Sequence, residues 1–135
     1  MNAKEFSLNA FVAIGGTCIS AWLGGWDSAL KVLVVLMVLD YATGFLGAVK
    51  NHKVDSEVMF WGGIRKAIIL AAVAVAVMLD QMVGNSEPIL RTLAIYFYVS
   101  REGISVTENV GILGVSLPPP IARVLSQLQD KGEGK

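Results

Sequence analysis

Apolar residues in this chain come in long unbroken blocks, not at the three-to-four spacing of a soluble helical core. Residues 6–26 carry no charge over 21 positions. After the turn Gly24-Gly25-Trp26-Asp27, residues 28–49 are apolar except for Lys31 near the start and Asp40 near the middle. Residues 50–63 form a polar interval with Lys50, His52, Lys53, Asp55 and Glu57, and residues 64–83 are again apolar between Arg65, Lys66 and Asp80. At about 1.5 Å per helical residue, a stretch of about 20 crosses a hydrocarbon layer of about 30 Å. Three spans are therefore expected, at residues 8–25, 28–49 and 64–83.

A fourth segment is ambiguous in the sequence. Residues 92–100 are apolar and aromatic, but Arg91 and Arg101 bracket them and Glu102 and Glu108 follow. Each charge facing lipid at mid-membrane costs roughly 2.5–3.5 kcal/mol. Tyr98, Glu102, Ser105 and Asn109 are spaced to fall on one stripe of a helix, with Arg101 and Glu108 beside it. The segment is either a fourth span turned toward the bundle interior or a helix lying in the interface, with a kink possible at Gly103. Pro118-Pro119-Pro120 then ends any helix. Ile121, Val124, Leu125 and Leu128 make a short apolar stripe that could rest on the membrane surface, and residues 130–135 read as a disordered end. The expected fold is an all-α integral membrane protein: a spanning domain over residues 1–116 and a short amphipathic, charged cytoplasmic tail over 117–135.

Composition agrees. Of 135 residues, 54% are hydrophobic and 16% charged, against about 25% charged in soluble domains. Eleven basic and eleven acidic residues cancel, which argues against nucleic acid as a partner. One cysteine, Cys18, and one histidine, His52, leave no disulfide framework and no Cys/His metal cluster. Lys4 followed by an apolar run has the look of a signal peptide, but the run is longer than such regions usually are, so an uncleaved span is expected. Basic residues near span ends set orientation. Lys50, Lys53, Arg65 and Lys66 put the loop between spans two and three in the cytoplasm, and with four spans both termini join it.

Asp40 leads the candidates for chemistry, because an ionisable group at mid-membrane needs a reason. It is either an ion or proton site or a hydrogen-bonded group joining helices. Near it, Thr43 with Gly47 and Gly44 with Ala48 are small-residue pairs that let helices approach closely; the Thr43 hydroxyl is expected to bond its own backbone. Asp80 and Arg91 fall at similar depths across a short turn and are expected to pair. No nucleophile–base arrangement, phosphate loop or metal-ligand spacing appears, so neither enzyme activity nor a cofactor is expected.

Several stretches in order resemble the phage holins of the toxin-secretion/phage-lysis type. They are Leu39-Asp40-Tyr41-Ala42-Thr43-Gly44, Lys50-Asn51-His52-Lys53, Gly62-Gly63-Ile64-Arg65-Lys66, Leu79-Asp80 and Arg91-Thr92. Most specific are Glu102-Gly103-Ile104-Ser105-Val106-Thr107-Glu108-Asn109 and Gly114-Val115-Ser116-Leu117-Pro118. The likeness runs from about residue 32 to 128; the first span carries no matching motif. Two features depart from the family pattern: Asp55 and Glu57 in the central loop, and three prolines where lysines would follow one. The resemblance implies a small membrane protein that assembles into homo-oligomers and opens lesions in the bacterial cytoplasmic membrane. Through these an endolysin passes without binding the holin, or in some relatives a toxin is exported. It singles out Asp40, Thr43, Gly44, Glu102, Ser105, Glu108 and Asn109, without assigning their roles. The next methionine after Met1 is Met37, inside span two, so a separate antiholin is a better expectation than dual-start control. The rival readings are a small dimeric cation transporter or channel working through Asp40, and a scaffold or antiholin that only binds a partner.

Overall fold

In the computed structural model, which describes residues 1–132 and Gly134, the chain forms five helices and no strand among the described residues. Helix α1 (Ala3–Trp22) begins with a capping box between Asn2 and Glu5, α2 (Ser28–Lys50) with Asp27 accepting from the Leu30 amide at 2.9 Å, and α3 (Ser56–Val83) with Asp55. Each cap satisfies amides that the first turn cannot bond internally. Helix α2 ends with His52 left-handed (φ 54°), its amide bonded to Val49 O and that of Lys53 to Ala48 O. Helix α4 (Ile89–Ile112) is unbroken, and α5 (Pro119–Gly132) starts on a proline whose missing N–H costs nothing there.

Helices α2 and α3, 23 and 28 residues long, are long and apolar enough to cross a membrane. Helix α4 is the hub, packing against α2, α3 and α5. The core sits between α2, α3 and α4: Leu30 and Leu33, Val73, and Ile95 and Val99, with Leu23 and Met37 at its edges. Helix α1 buries none of its residues.

Four boundaries differ from expectation. The polar interval of residues 50–63 contracts to a loop of residues 51–55, because the Asp55 cap starts α3 eight residues before the apolar block. Helix α4 runs through Gly103 without a break, and this glycine makes room for α5, since a Cβ there would stand 2.5 Å from Leu125 Cδ2. Helix α5 continues through Asp130 and Lys131, which read as disordered in sequence; Glu133 and Lys135 lie outside the described residues. Finally, α5 packs along α4, and its stripe is rotated from the expected one: Leu125 and Leu128 turn inward while Ile121 and Val124 remain exposed.

Candidate functional site: a charged cluster between α2, α3 and α4

Asp40, Lys66 and Glu102 each lie ten residues from the helix end on the side of the α2–α3 loop, about 15 Å along each axis. Equal depth brings them together. The Lys66 ammonium bridges Asp40 Oδ2 and Glu102 Oε2. Side-chain exposures are 19%, 15% and 7% for Lys66, Asp40 and Glu102. Two carboxylates thus share one cation, and burial makes each depend on it.

Asn109 completes the cluster. Its Nδ2 donates to Asp40 Oδ1 at 2.9 Å, to the Asp40 carbonyl at 3.1 Å and to Thr43 Oγ1 at 3.1 Å. The Thr43 hydroxyl donates to Leu39 O at 2.7 Å, the backbone bond expected of it. Gly44 and Gly47 let α4 approach α2: Cβ atoms there would stand 3.6 Å from Asn109 Nδ2 and 3.5 Å from Ile112 Cγ2. This small-residue face is therefore occupied within the chain. Lys50 Nζ adds a 2.8 Å bond to Ile112 O, closing the carboxyl end of α4.

A cleft of about 580 Å³ opens onto the cluster, with Tyr41, Tyr98, Arg101, Ser105, Lys53 and Arg65 among the residues lining it. The Arg101 guanidinium lies 5.6 Å from the Phe97 ring centre, and Glu108 is exposed outside the cluster. Lys66 requires a correction: grouped by sequence with the basic loop, it sits in α3 and holds both carboxylates. Its signal was available in principle, since Asp40 and Glu102 need a cation at matching distance from a helix end.

A second polar assembly lies at the opposite end. Asp80 Oδ1 and Oδ2 accept from the amides of Leu90 and Arg91, both at 2.9 Å, and Oδ1 also from Asn85 Nδ2 at 2.8 Å. Asp80 thus caps α4 from a neighbouring helix. The expected Asp80–Arg91 side-chain pair does not form. The Arg91 guanidinium instead donates to Leu23 O at 2.6 Å, Gly25 O at 3.0 Å and both Asp27 oxygens at 2.8 and 3.2 Å. It ties the α1–α2 turn to α4, and its bond to Asp27 holds that exposed carboxyl below its usual range against the opposing effect of burial.

Residues 17–130 match the bacteriophage holin family. The chain belongs to that family. The matched region takes in all of α2, α3 and α4 and most of α5, and leaves out most of α1. Among its relatives is a probable holin of Bacillus phage phi105, 30% identical over 85% of this chain and 84% of the phage protein. An uncharacterized 14.9 kDa protein of Clostridium perfringens is 40% identical over 86% of this chain and 88% of its own length. YqxH of Bacillus subtilis, also uncharacterized, is 32% identical over 83% and 79%. No solved structure matches. Family membership and two apolar helices of spanning length make this a membrane protein of the holin family.

Proposed function

We propose that the chain is a holin that assembles in the bacterial cytoplasmic membrane and opens timed lesions through which a separately made endolysin, or a large toxin, leaves the cytoplasm. The observation that carries this reading, beside the family, is a charged cluster held between two apolar helices and their common neighbour α4. A lesion former must hide polar groups while dispersed and expose them on assembly. In the Asp40–Lys66–Glu102 cluster these groups satisfy one another inside a single chain. Exchanging such intramolecular partners for intermolecular ones is a two-state change whose gap need be only a few kcal/mol. Loss of membrane potential would bias it by about 2.3 kcal/mol per charge per 100 mV. Lysis timing indifferent to an added protonophore would refute that bias.

Four crossings follow on this reading. Helix α1, 20 residues long, reaches about 30 Å, and α4 turns Arg91, Glu102 and Asn109 to the interior. Trp22 and Trp26 are exposed at one end of the bundle and Phe60 and Trp61 at the other, as interfacial belts require. The rise from Trp61 to Asp80 is about 28 Å. The basic α2–α3 loop and the amino terminus face the cytoplasm, while α5 runs back along α4 and carries Lys131 to the opposite end, near Glu87. The endolysin needs no docking surface here, and an antiholin would act by competing for assembly.

The test is expression in bacteria with a cytoplasmic endolysin lacking its own export signal, following culture density and membrane potential. A delayed, abrupt collapse of potential requiring this chain, with release of the endolysin and a fall in density requiring both proteins, is expected. Intact cells that leak only small ions would refute the lesion. They would favour a cation pathway through Asp40, the reading to which the open cleft beside that residue also lends support. In that case Asp40→Asn abolishes coupled flux, whereas in a holin it shifts lysis timing.

A further inference from the structure

Helix α5 combines two properties that a cytoplasmic tail does not need. It is seated deep along α4: Leu125 fills the notch at Gly103, next to Glu102, and Leu128 packs against the core cluster that holds Ile95 and Val99. At its far end Lys131 lines a cavity of about 620 Å³ with Glu87, Thr92 and Tyr96, near the start of α4. Yet its outward side carries a polar stripe along its length, beside the exposed Ile121 and Val124. Arg123, Ser126, Gln127 and Asp130 follow at i, i+3, i+4 and i+7, and all are exposed. The inward stripe of Ala122, Leu125, Leu128 and Gln129 is half-buried. Helix α4 adds Arg101 and Glu108, two turns apart and both exposed.

The rest of the molecule is the reverse. Exposed positions on α1 and α3 include Phe6, Phe11, Ile14, Ile68 and Val75, a surface suited to acyl chains. Exposed charge away from the helix ends is thus concentrated on the α4–α5 side; Lys31 of α2 and Arg65 of α3 are also exposed, five residues from Trp26 and four from Trp61. With α4 crossing the bilayer, a charge on the middle of α5 would lose up to roughly 2.5–3.5 kcal/mol against lipid, and Lys131, near the start of α4, less. Water removes that penalty without moving α5 from its notch.

We propose that α5 is a re-entrant helix that stays on α4 and, with the exposed α4 face bearing Arg101 and Glu108, forms the water-facing wall of the assembled lesion. The proposal rests on the lesion-forming reading above. The hinge that turns α5 back into the membrane is the segment of residues 113–118, with Gly114 at φ 91° and Pro118 stopping any continuation of α4.

Two measurements on the full chain with Cys18→Ser, reconstituted in lipid vesicles, test it. The first locks α5 in place with Gly103→Cys and Leu125→Cys. A Cβ added at Gly103 would stand 3.4 Å from Leu125 Cγ, within reach of a disulfide. Oxidised protein is expected to release entrapped dye as fast as the reduced form. If oxidation abolishes release that the reduced form supports, α5 must leave α4 and the proposal fails. The second places a nitroxide at Ser126→Cys, an exposed site that reads out even if the cysteine pair misfolds. Collisions with a water-soluble nickel chelate are expected to exceed those with oxygen several-fold, with the opposite ranking for a nitroxide at Ile68→Cys. Oxygen dominance at position 126 overturns the proposal. Dye release by the Cys18→Ser parent tells this apart from failure of the lesion reading: a parent that releases nothing refutes both, whereas a leaky parent with a lipid-facing Ser126 refutes α5 alone.

Discussion

Replacing Lys66 with methionine leaves a side chain of similar length without its charge, between two carboxylates with 7% and 15% side-chain exposure. Each ammonium–carboxylate contact is worth about 4 kcal/mol at an effective dielectric of about 20, and the two carboxylates, a few ångströms apart, repel by about 3 kcal/mol. The cation therefore contributes about 8 kcal/mol before its own desolvation, and the three charges together about 5 kcal/mol. Breaking buried ion pairs by removing one partner costs 3–5 kcal/mol. Lys66 keeps 19% exposure beside an open cleft, which favours the lower end, about 3 kcal/mol. That is a large share of the 5–15 kcal/mol that holds a typical domain folded. The assay is reversible unfolding by SDS titration in mixed micelles, read by far-ultraviolet circular dichroism. The decisive companion is the triple variant Lys66→Met, Asp40→Asn, Glu102→Gln, which removes all three charges and keeps the shapes. It should recover most of the loss, because the penalty belongs to the unpaired carboxylates and not to the missing lysine. A single variant within 1 kcal/mol of the wild type, or a triple variant no better than the single one, would refute the reasoning.

Three further outcomes follow from the opposite end of the bundle. Exchanging charges by Asp80→Arg with Arg91→Asp should give no rescue in the same titration, because Asp80 caps α4 through backbone amides while the Arg91 guanidinium serves Asp27 and two carbonyls; recovery beyond the better single variant would contradict this. Gly24→Ala should cost about 2 kcal/mol, since Gly24 has φ 87° and its Cβ would stand 2.5 Å from Arg91 Nε; Gly25→Ala, at φ 100° with open space around it, should cost less, and equal losses would remove the steric part of the argument. The Asp27 carboxyl titrates below its ordinary value of 3.8 when folded, chiefly through its bond to Arg91. Its contribution is therefore complete above that value and lost as pH falls through the lower folded one. Asp27 is 51% exposed, which limits the effect to about 1 kcal/mol or less. Hydrogen exchange in the α1–α2 turn should accelerate, after correction for intrinsic rates, only below about pH 4, and Asp27→Asn should flatten that dependence.

Membrane character was legible from the chain alone because it depends on local quantities: the length of each apolar block and the charges that interrupt it. The same holds for the start of the second span at Ser28 and for the stripe from Tyr98 to Asn109, where residue spacing sets the face. Boundaries were harder. Hydropathy marks where a helix becomes apolar, so it missed the polar turns of α3 that Asp55 initiates. Partners were harder still. Asp40 stood out as a buried charge in need of an explanation, but its cation came from a different helix, and only the packing of α2, α3 and α4 at a common depth selected Lys66 over Lys31 or Arg65. Likewise the nearness of Asp80 and Arg91 in sequence suggested an ion pair, whereas the turn between α1 and α2 had already brought Asp27 and two carbonyls within reach of the guanidinium. Gly103 carried no decisive local signal, since the space it vacates matters only once Leu125 arrives from 22 residues further along the chain. Sequence determined which segments leave water and which groups must then find partners; tertiary structure decided which partners they found, because that depends on relative depth and rotation of helices that no local pattern encodes.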